Sequence, residues 1–244
     1  MKKIFLGMVA FLCLSLAGCG ESSPIEAKEA GSLFVNELVY HTKTKQFDEE
    51  FVDGKNLSKA MKTATTAISK NFYKDFSVTG VVIDEETIQN LTKELTTQCE
   101  NQTKYVTLVS DGSRAKAKKI TYQVYGLDYQ SLMEKTTKEV MTAVVKDEKL
   151  ATSREKVVAL IEERIRENIK TTLRTAQPLE TTLEFSEQKG QWLVAEGQEE
   201  KIRNLYLSFM TGQKDQATLN KVMKNIAEKA GEQAQEELNK TTKK

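Results

Sequence analysis

The 244-residue chain holds one histidine, His41. Histidine is the usual general base near neutral pH. As a catalytic base its ring would need an acid on one nitrogen and a nucleophile on the other. No acid stands at a spacing that would orient it, so a lone His near the end of a helical run reads as a packing or surface residue. Glu162-Glu163 and Glu199-Glu200 are adjacent carboxylates of the kind that cleave glycosides in pairs. Neighbours on a helix point in different directions, so neither pair makes a two-carboxylate site. The acidic triplets at 48–50 and 84–86 lack the Asp-x-Asp-x-Asp-Gly pattern of a calcium loop. There is no glycine-rich phosphate loop and no Cys/His cluster with zinc spacing. Sequons at Asn56, Asn90, Asn101 and Asn239 are short matches of little weight. The residues imply no cofactor, no metal and no enzyme.

The remaining reactive group is a thiol, Cys19. Lys2 and Lys3 open the chain, and an almost wholly apolar run covers Ile4 to Leu16. That length suits the core of a signal peptide. A membrane-spanning helix needs about 20 apolar residues, and Glu21-Ser22-Ser23-Pro24 stops the run. Leu16-Ala17-Gly18-Cys19 resembles the bacterial lipobox. The resemblance implies cleavage between Gly18 and Cys19 and transfer of a diacylglyceryl group to the Cys19 sulfur. Two acyl chains hold a protein at a membrane where one is marginal. The expected residence is therefore the extracytoplasmic face of a cell membrane, lipid-anchored. Cys13 would leave with the signal, and Cys99 would then have no intrachain partner.

Removal of the first 18 residues from 244 leaves 226, with 34 basic against 35 acidic side chains. A near-neutral chain does not favour nucleic acid as a partner. The 39% hydrophobic content is globular. Only Pro24 and Pro178 are prolines, and no Pro-rich or Gly/Ser-rich linker divides the chain. The expected organisation is a signal peptide at 1–18, a tether at 19–29, an α+β domain at 30–200, and C-terminal helices with a basic tail at 201–244.

Several elements are legible. Ala27, Ala30, Phe34 and Leu38 recur at helical spacing, as do Leu57, Met61, Ala64, Ile68 and Phe72 after the polar "TKTKQ". The two runs predict an antiparallel helix pair. After a break at Gly80, Asp84 is an N-cap candidate, with Glu85 and Glu86 in the first turn. Ile88, Leu91, Leu95 and Cys99 then share a face, which makes Cys99 a buried small hydrophobe rather than a reactive thiol.

"KYVTLVS" and "AKAKKITYQVYGL", joined by "DGSR", predict a hairpin. In it Ile120, Tyr122 and Val124 face one way, and Thr121, Gln123, Tyr125 and Leu127 the other. Two helices follow. The second carries a stripe of Val158, Ile161, Ile165, Ile169 and Leu173, with Glu155, Glu162, Arg166 and Lys170 mostly on the wet side. Pro178 blocks continuation. A second hairpin, "LETTLEFSEQKGQWLVAE", turns at Lys189-Gly190. Two more helices complete the chain, the last with Leu219, Val222, Met223, Ile226 and Ala230 on one side. The fold class is α+β, an antiparallel curved sheet of two hairpins packed against several long helices.

"KITYQVYGLDY", a helical pair and "TLEFSEQKGQWLV" with its Trp192-Leu193-Val194 ending resemble small uncharacterised Gram-positive lipoproteins. Those carry a nuclear-transport-factor-two-like, or cystatin-like, domain. The resemblance spans about residues 30–200 and implies a cone in which a curved sheet wraps a long helix. Tyr122, Tyr125, Phe185 and Trp192 would then fall where a concave face could line a ligand pocket; the plainer reading is that they fill the core.

The expected function is a membrane-anchored, non-catalytic binding or accessory module of the cell envelope. Its partners would be the membrane, through the lipid on Cys19, and an envelope protein or small ligand. An alternative, from family analogy alone, is a precursor whose released signal tail, Phe11 to Gly18, acts as a cell–cell signalling peptide. Lys240, Lys243 and Lys244 could touch anionic lipid, although a solvated tail accounts for them as well.

Overall fold

The computed structural model describes residues 24–72 and 83–241. Gly18, Cys19 and the 11–18 segment lie outside the described residues, as do the predicted break at Gly80 and Lys243 and Lys244. The elements are α1 (Ala27–Val35), a π-helical turn (Asn36–Tyr40), α2 (Thr44–Glu50), α3 (Gly54–Phe72), α4 (Glu85–Gln102), β1 (Lys104–Asp111) and β2 (Ala117–Tyr125). Then come α5 (Tyr129–Lys146), α6 (Glu148–Ala151), α7 (Arg154–Thr171), β3 (Leu179–Gln188), β4 (Gln191–Val194), α8 (Glu199–Thr211) and α9 (Gln216–Thr241). The fold is α+β with a four-stranded antiparallel curved sheet in the order β1-β2-β3-β4.

Two compact units divide the chain, and they interleave along it. The first takes residues up to Ile68, Tyr105–Val124 and Pro178–Tyr206; the second takes Ser69–Lys104, Tyr125–Gln177 and Leu207 onward.

The first unit contains the sheet. β2 and β3 pair antiparallel with Ile120 opposite Leu183 and Tyr122 opposite Thr181. β3 and β4 pair with Phe185 opposite Val194. Their link, Lys189-Gly190, has φ of 51° and 78°. Two successive positive φ values are what a tight primed hairpin turn requires, and glycine supplies the second without strain. Strand alternation sends Ile120, Tyr122, Val124, Leu183 and Phe185 into the core, where each is fully buried.

Phe34 of α1 meets Phe185 edge-on at 5.3 Å, and Phe47 stacks on Phe51 at 4.4 Å. Phe47 belongs to α2, a helix that the polar "TKTKQ" did not announce. The Trp192 indole N–H donates to the Ile25 carbonyl at 2.9 Å, and Val52 N–H donates to the Trp192 carbonyl at 2.9 Å. Of the predicted α3 stripe, Met61, Ala64, Ile68 and Phe72 are buried, while Leu57 is half-buried.

The second unit is helical among its described residues. Asp84 caps α4, accepting from Thr87 N–H at 2.9 Å. Thr87's backbone and hydroxyl together hold the Asp84 carboxyl below its ordinary range. Leu91, Leu95 and Cys99 are wholly buried; Ile88 is half-buried. In α7, Ile161, Ile165 and Ile169 are buried as the stripe predicts. Leu173 corrects the prediction, being 66% exposed. The helix ends at Thr171 and Thr172 is extended, so helical spacing no longer applies two residues later. Leu127 also departs from the predicted alternation. β2 stops at Tyr125, and Leu127 is buried with its N–H on the Phe209 carbonyl at 2.9 Å.

Candidate functional site

The groove in the second unit is built by three helices, each with its own start signal. α5 opens at Asp128, which accepts from Ser131 N–H at 3.0 Å. α7 opens at Ser153, accepting from Lys156 N–H at 3.4 Å. At the head of α9 Asp215 accepts from Thr218 N–H at 2.7 Å. Contacts to Thr218 hold that carboxyl below its ordinary range.

α5 and α7 are locked side by side by a buried amide. Asn168, 3% exposed, donates to Thr136 Oγ1 and Glu139 Oε2, both at 3.0 Å. Arg166 reaches across to Glu94 of α4 at 3.0 Å.

Between α5, α7 and α9 lies a groove of about 770 Å³. That is within the roughly 300–1,000 Å³ typical of ligand sites. α5 presents Met133, Thr137, Val140 and Met141, one stripe at helical spacing, and α7 adds Ile161. α9 contributes Met223, Ile226, Ala227, Ala230 and Gly231. The small residues of α9 open the space, since a Cβ placed on Gly231 would meet no atom within 4 Å. Three flexible methionines give walls that adapt to an occupant. Among the described residues no aromatic ring, histidine or cysteine lines the groove. Its charged members, Lys224 and Glu228, are exposed and paired with each other at 3.5 Å. Such a surface offers apolar contact to an occupant.

The first unit holds a buried polar cluster. Glu37 is 2% exposed. Its carboxyl accepts from the Ser58 hydroxyl on one oxygen and from Thr44 Oγ1 at 2.9 Å on the other. The π-helical turn puts Glu37, Leu38 and Val39 on the buried side in succession. A π turn shifts the helical phase by one residue, which is how a carboxyl enters the core here.

His41 follows in the left-handed conformation (φ 53°), 3.4 Å from Thr65 Oγ1. Burial pushes its pKa down; Glu37, one turn earlier, opposes this, and Lys62 adds to it. Glu37, at i−4, acts on His41 through its charge and its backbone, not through a carboxylate bond to the ring. The signal available was helical spacing. The carboxyl is committed to Ser58 and Thr44, and the described residues gather no group of three or more potential metal ligands.

The other predicted site residues fall as follows. Tyr122 and Phe185 are wholly buried, and Trp192 is 5% exposed. Tyr125 is half-buried and projects from the opposite face of β2. The groove is lined by none of the four. Cys99 is buried, its thiol pushed up to about 12 by desolvation, with the sulfur 3.5 Å from the Phe209 carbonyl. Sequence reasoning missed the groove because its walls lie on three helices distant in the chain.

Comparison with known proteins yields a family and a fold. Residues 22–210 match the family model described as "Domain of unknown function (DUF5105)". No curated protein matches the sequence. Among solved structures, the chain is similar to a candidate lipoprotein, ycdA, from Bacillus subtilis subsp. subtilis str. 168, at 13% identity and a TM-score of 0.57. The match covers 75% of this chain and 55% of that one. At that identity the likeness concerns the fold.

Proposed function

We infer that this chain, which belongs to the DUF5105 family, is a lipid-anchored binding module of the cell envelope that holds an apolar ligand. The groove between α5, α7 and α9 carries this reading. Its walls are aliphatic and thioether, its volume is about 770 Å³, and its charges are spent on each other at the rim. A lining without rings and rich in methionine suits a flexible aliphatic chain better than a flat aromatic ligand.

The anchor rests on Leu16-Ala17-Gly18-Cys19 and on the likeness to a candidate lipoprotein. Among the described residues no helix is long and apolar enough to cross a membrane. A diacylated Cys19 would place the chain on the extracytoplasmic face, in the manner of Gram-positive lipoproteins. The α1-and-sheet packing of the first unit agrees with a cystatin-like cone. The chain acts without catalysis, and the envelope supplies its ligand.

The test combines an anchor arm and a ligand arm. Mass spectrometry of the mature N-terminus should find a diacylated Cys19, lost in Cys19→Ala together with membrane retention. A fluorescent long-chain fatty acid should bind the purified wild-type protein and lose affinity at least tenfold in Gly231→Leu with Ala227→Leu, which fills the groove. An unmodified N-terminus would sink the anchor, and undiminished binding in the filled variant would sink the ligand site.

A further inference from the structure

One polar side chain stands in the α5 wall of the groove. Thr137 lies four residues after Met133 and four before Met141, in the middle of the apolar stripe. Its neighbour Thr136 is engaged on the α7 side, where it accepts from Asn168. Helical threonines commonly turn the hydroxyl back onto the carbonyl four residues earlier. Thr92, Thr96 and Thr97 of α4 do so at 2.7, 2.9 and 3.0 Å. Thr137 does not, and among the described residues none donates to its hydroxyl or accepts from it. Half-buried in an apolar wall, that hydroxyl has to be satisfied by whatever fills the groove.

The rim of the groove is polar and carries no net charge. Asn220, Lys224 and Glu228 follow each other along α9 at i, i+4 and i+8, all exposed, beside the apolar Met223, Ala227 and Ala230. Lys224 and Glu228 lie 3.5 Å apart. An anionic head would meet one charge of each sign there. Drawing an ionised carboxylate onto aliphatic walls without a counter-charge of its own is costly. A neutral head escapes that cost.

We propose that the groove selects a neutral acyl ester of the monoacylglycerol kind, with Thr137 Oγ1 donating to the ester carbonyl. The acyl chain lies on the methionines and on Ala227, Ala230 and Gly231, and the hydroxylated head emerges over Asn220, Lys224 and Glu228. The selection rests on the groove being an apolar-ligand site, and it makes Thr137 the residue that decides which apolar ligand is held. A plain hydrocarbon would leave the Thr137 hydroxyl unpaired, which carries the penalty of a lost hydrogen bond. A free fatty acid would bring its carboxylate beside Glu228. The ester satisfies the hydroxyl, which can donate one proton, and leaves the rim pair intact.

The test is displacement of the fluorescent fatty acid from the purified full-length protein at pH 8, where carboxylates are ionised. Three competitors share one chain: monooleoylglycerol, its ether analogue with a methylene in place of the carbonyl, and oleate. The ester should displace the probe at a concentration about 2- to 12-fold lower than the ether, the span of one neutral hydrogen bond. Thr137→Val keeps the shape, removes the hydroxyl and should erase that difference. The ester should also outcompete oleate, and Glu228→Gln, which leaves Lys224 unopposed, should narrow that gap.

A probe that does not bind the wild-type protein would overturn the apolar-ligand site and this selection with it. A probe that binds but is displaced equally by ester and ether would overturn the selection and leave the apolar-ligand site standing. So would a valine variant that keeps the preference for the ester, or oleate that outcompetes it.

Discussion

The Tyr122 hydroxyl donates to the Gly31 carbonyl at 3.1 Å, fastening the middle of β2 to α1 across 91 positions of sequence. Helix and strand approach this closely because residue 31 has no side chain. A Cβ there would stand 2.9 Å from Ile120 Cγ2 and 3.2 Å from Thr107 Cγ2. Gly31→Ala removes glycine's helix penalty of about 1 kcal/mol but must push Ile120 aside, so its net effect is expected to be small. Gly31→Val adds two further carbons and a β-branch and should cost on the order of 2–3 kcal/mol. Thermal unfolding followed by circular dichroism separates the two. A valine variant as stable as wild type would show that the contact is not tight.

What the sequence revealed and hid follows the range of the interactions. Asp84 was legible because a cap is settled within three residues, and Lys189-Gly190 because a two-residue turn is settled by its own φ values. The α7 stripe was legible from Val158 to Ile169, and it failed at Leu173 because the end of a helix is decided by what packs there. α2 was hidden by its polar composition; Phe47, buried against the rings of Phe34 and Phe51, gives it a reason to fold. The hydroxyl partner of Glu37 stands 21 residues away, and the groove draws on helices that start at positions 129, 154 and 216. Nothing local marks either.

Cys99 should be inert in the folded protein. Desolvation raises its thiol pKa to about 12 from an ordinary value of 9.0. The reactive species is the thiolate, so a thiol reagent at pH 8 should label Cys99 only after denaturant is added. The same shift sets an alkaline limit. Between about pH 9 and about 12 the unfolded chain releases this proton and the folded chain keeps it. Stability is therefore intact below pH 9 and declines as pH rises through that window. Cys99→Ala should flatten the alkaline part of the stability curve. Rapid labelling of Cys99 in the native protein at pH 8 would contradict the burial.

His41 predicts the opposite slope on the acid side. Its folded pKa lies below the ordinary 6.5 because burial disfavours the charged ring. Below pH 6.5 the unfolded chain therefore takes up this proton before the folded chain does. The contribution is complete above pH 6.5 and is lost as pH falls through the folded pKa. As the chain's one histidine, it gives a single ring signal that can be followed by NMR titration. His41→Asn keeps a residue tolerant of the left-handed backbone and should remove this slope. A midpoint at or above 6.5 would mean that Glu37 outweighs burial.

Glu37 is the most demanding buried group in the first unit. Its two oxygens accept from buried Ser58 and exposed Thr44, so truncation orphans the Ser58 hydroxyl while that of Thr44 can turn to water. Leaving a buried donor unsatisfied costs about 1–3 kcal/mol, and Glu37→Ala is expected to destabilise by at least that much. Glu37→Gln keeps the shape and one carbonyl acceptor, and hydroxyls can rotate to meet its amide, so the loss should be smaller. Ser58→Ala removes the partner on α3 and should destabilise by about 1–3 kcal/mol. Since the two residues act on one hydrogen bond, the double variant Glu37→Ala with Ser58→Ala should cost less than the sum of the singles, with a coupling of about 0.5–3 kcal/mol. Urea unfolding of the four proteins measures that coupling. Strict additivity would mean that the bond contributes nothing and that Glu37 is held in the core by the π-helical backbone alone.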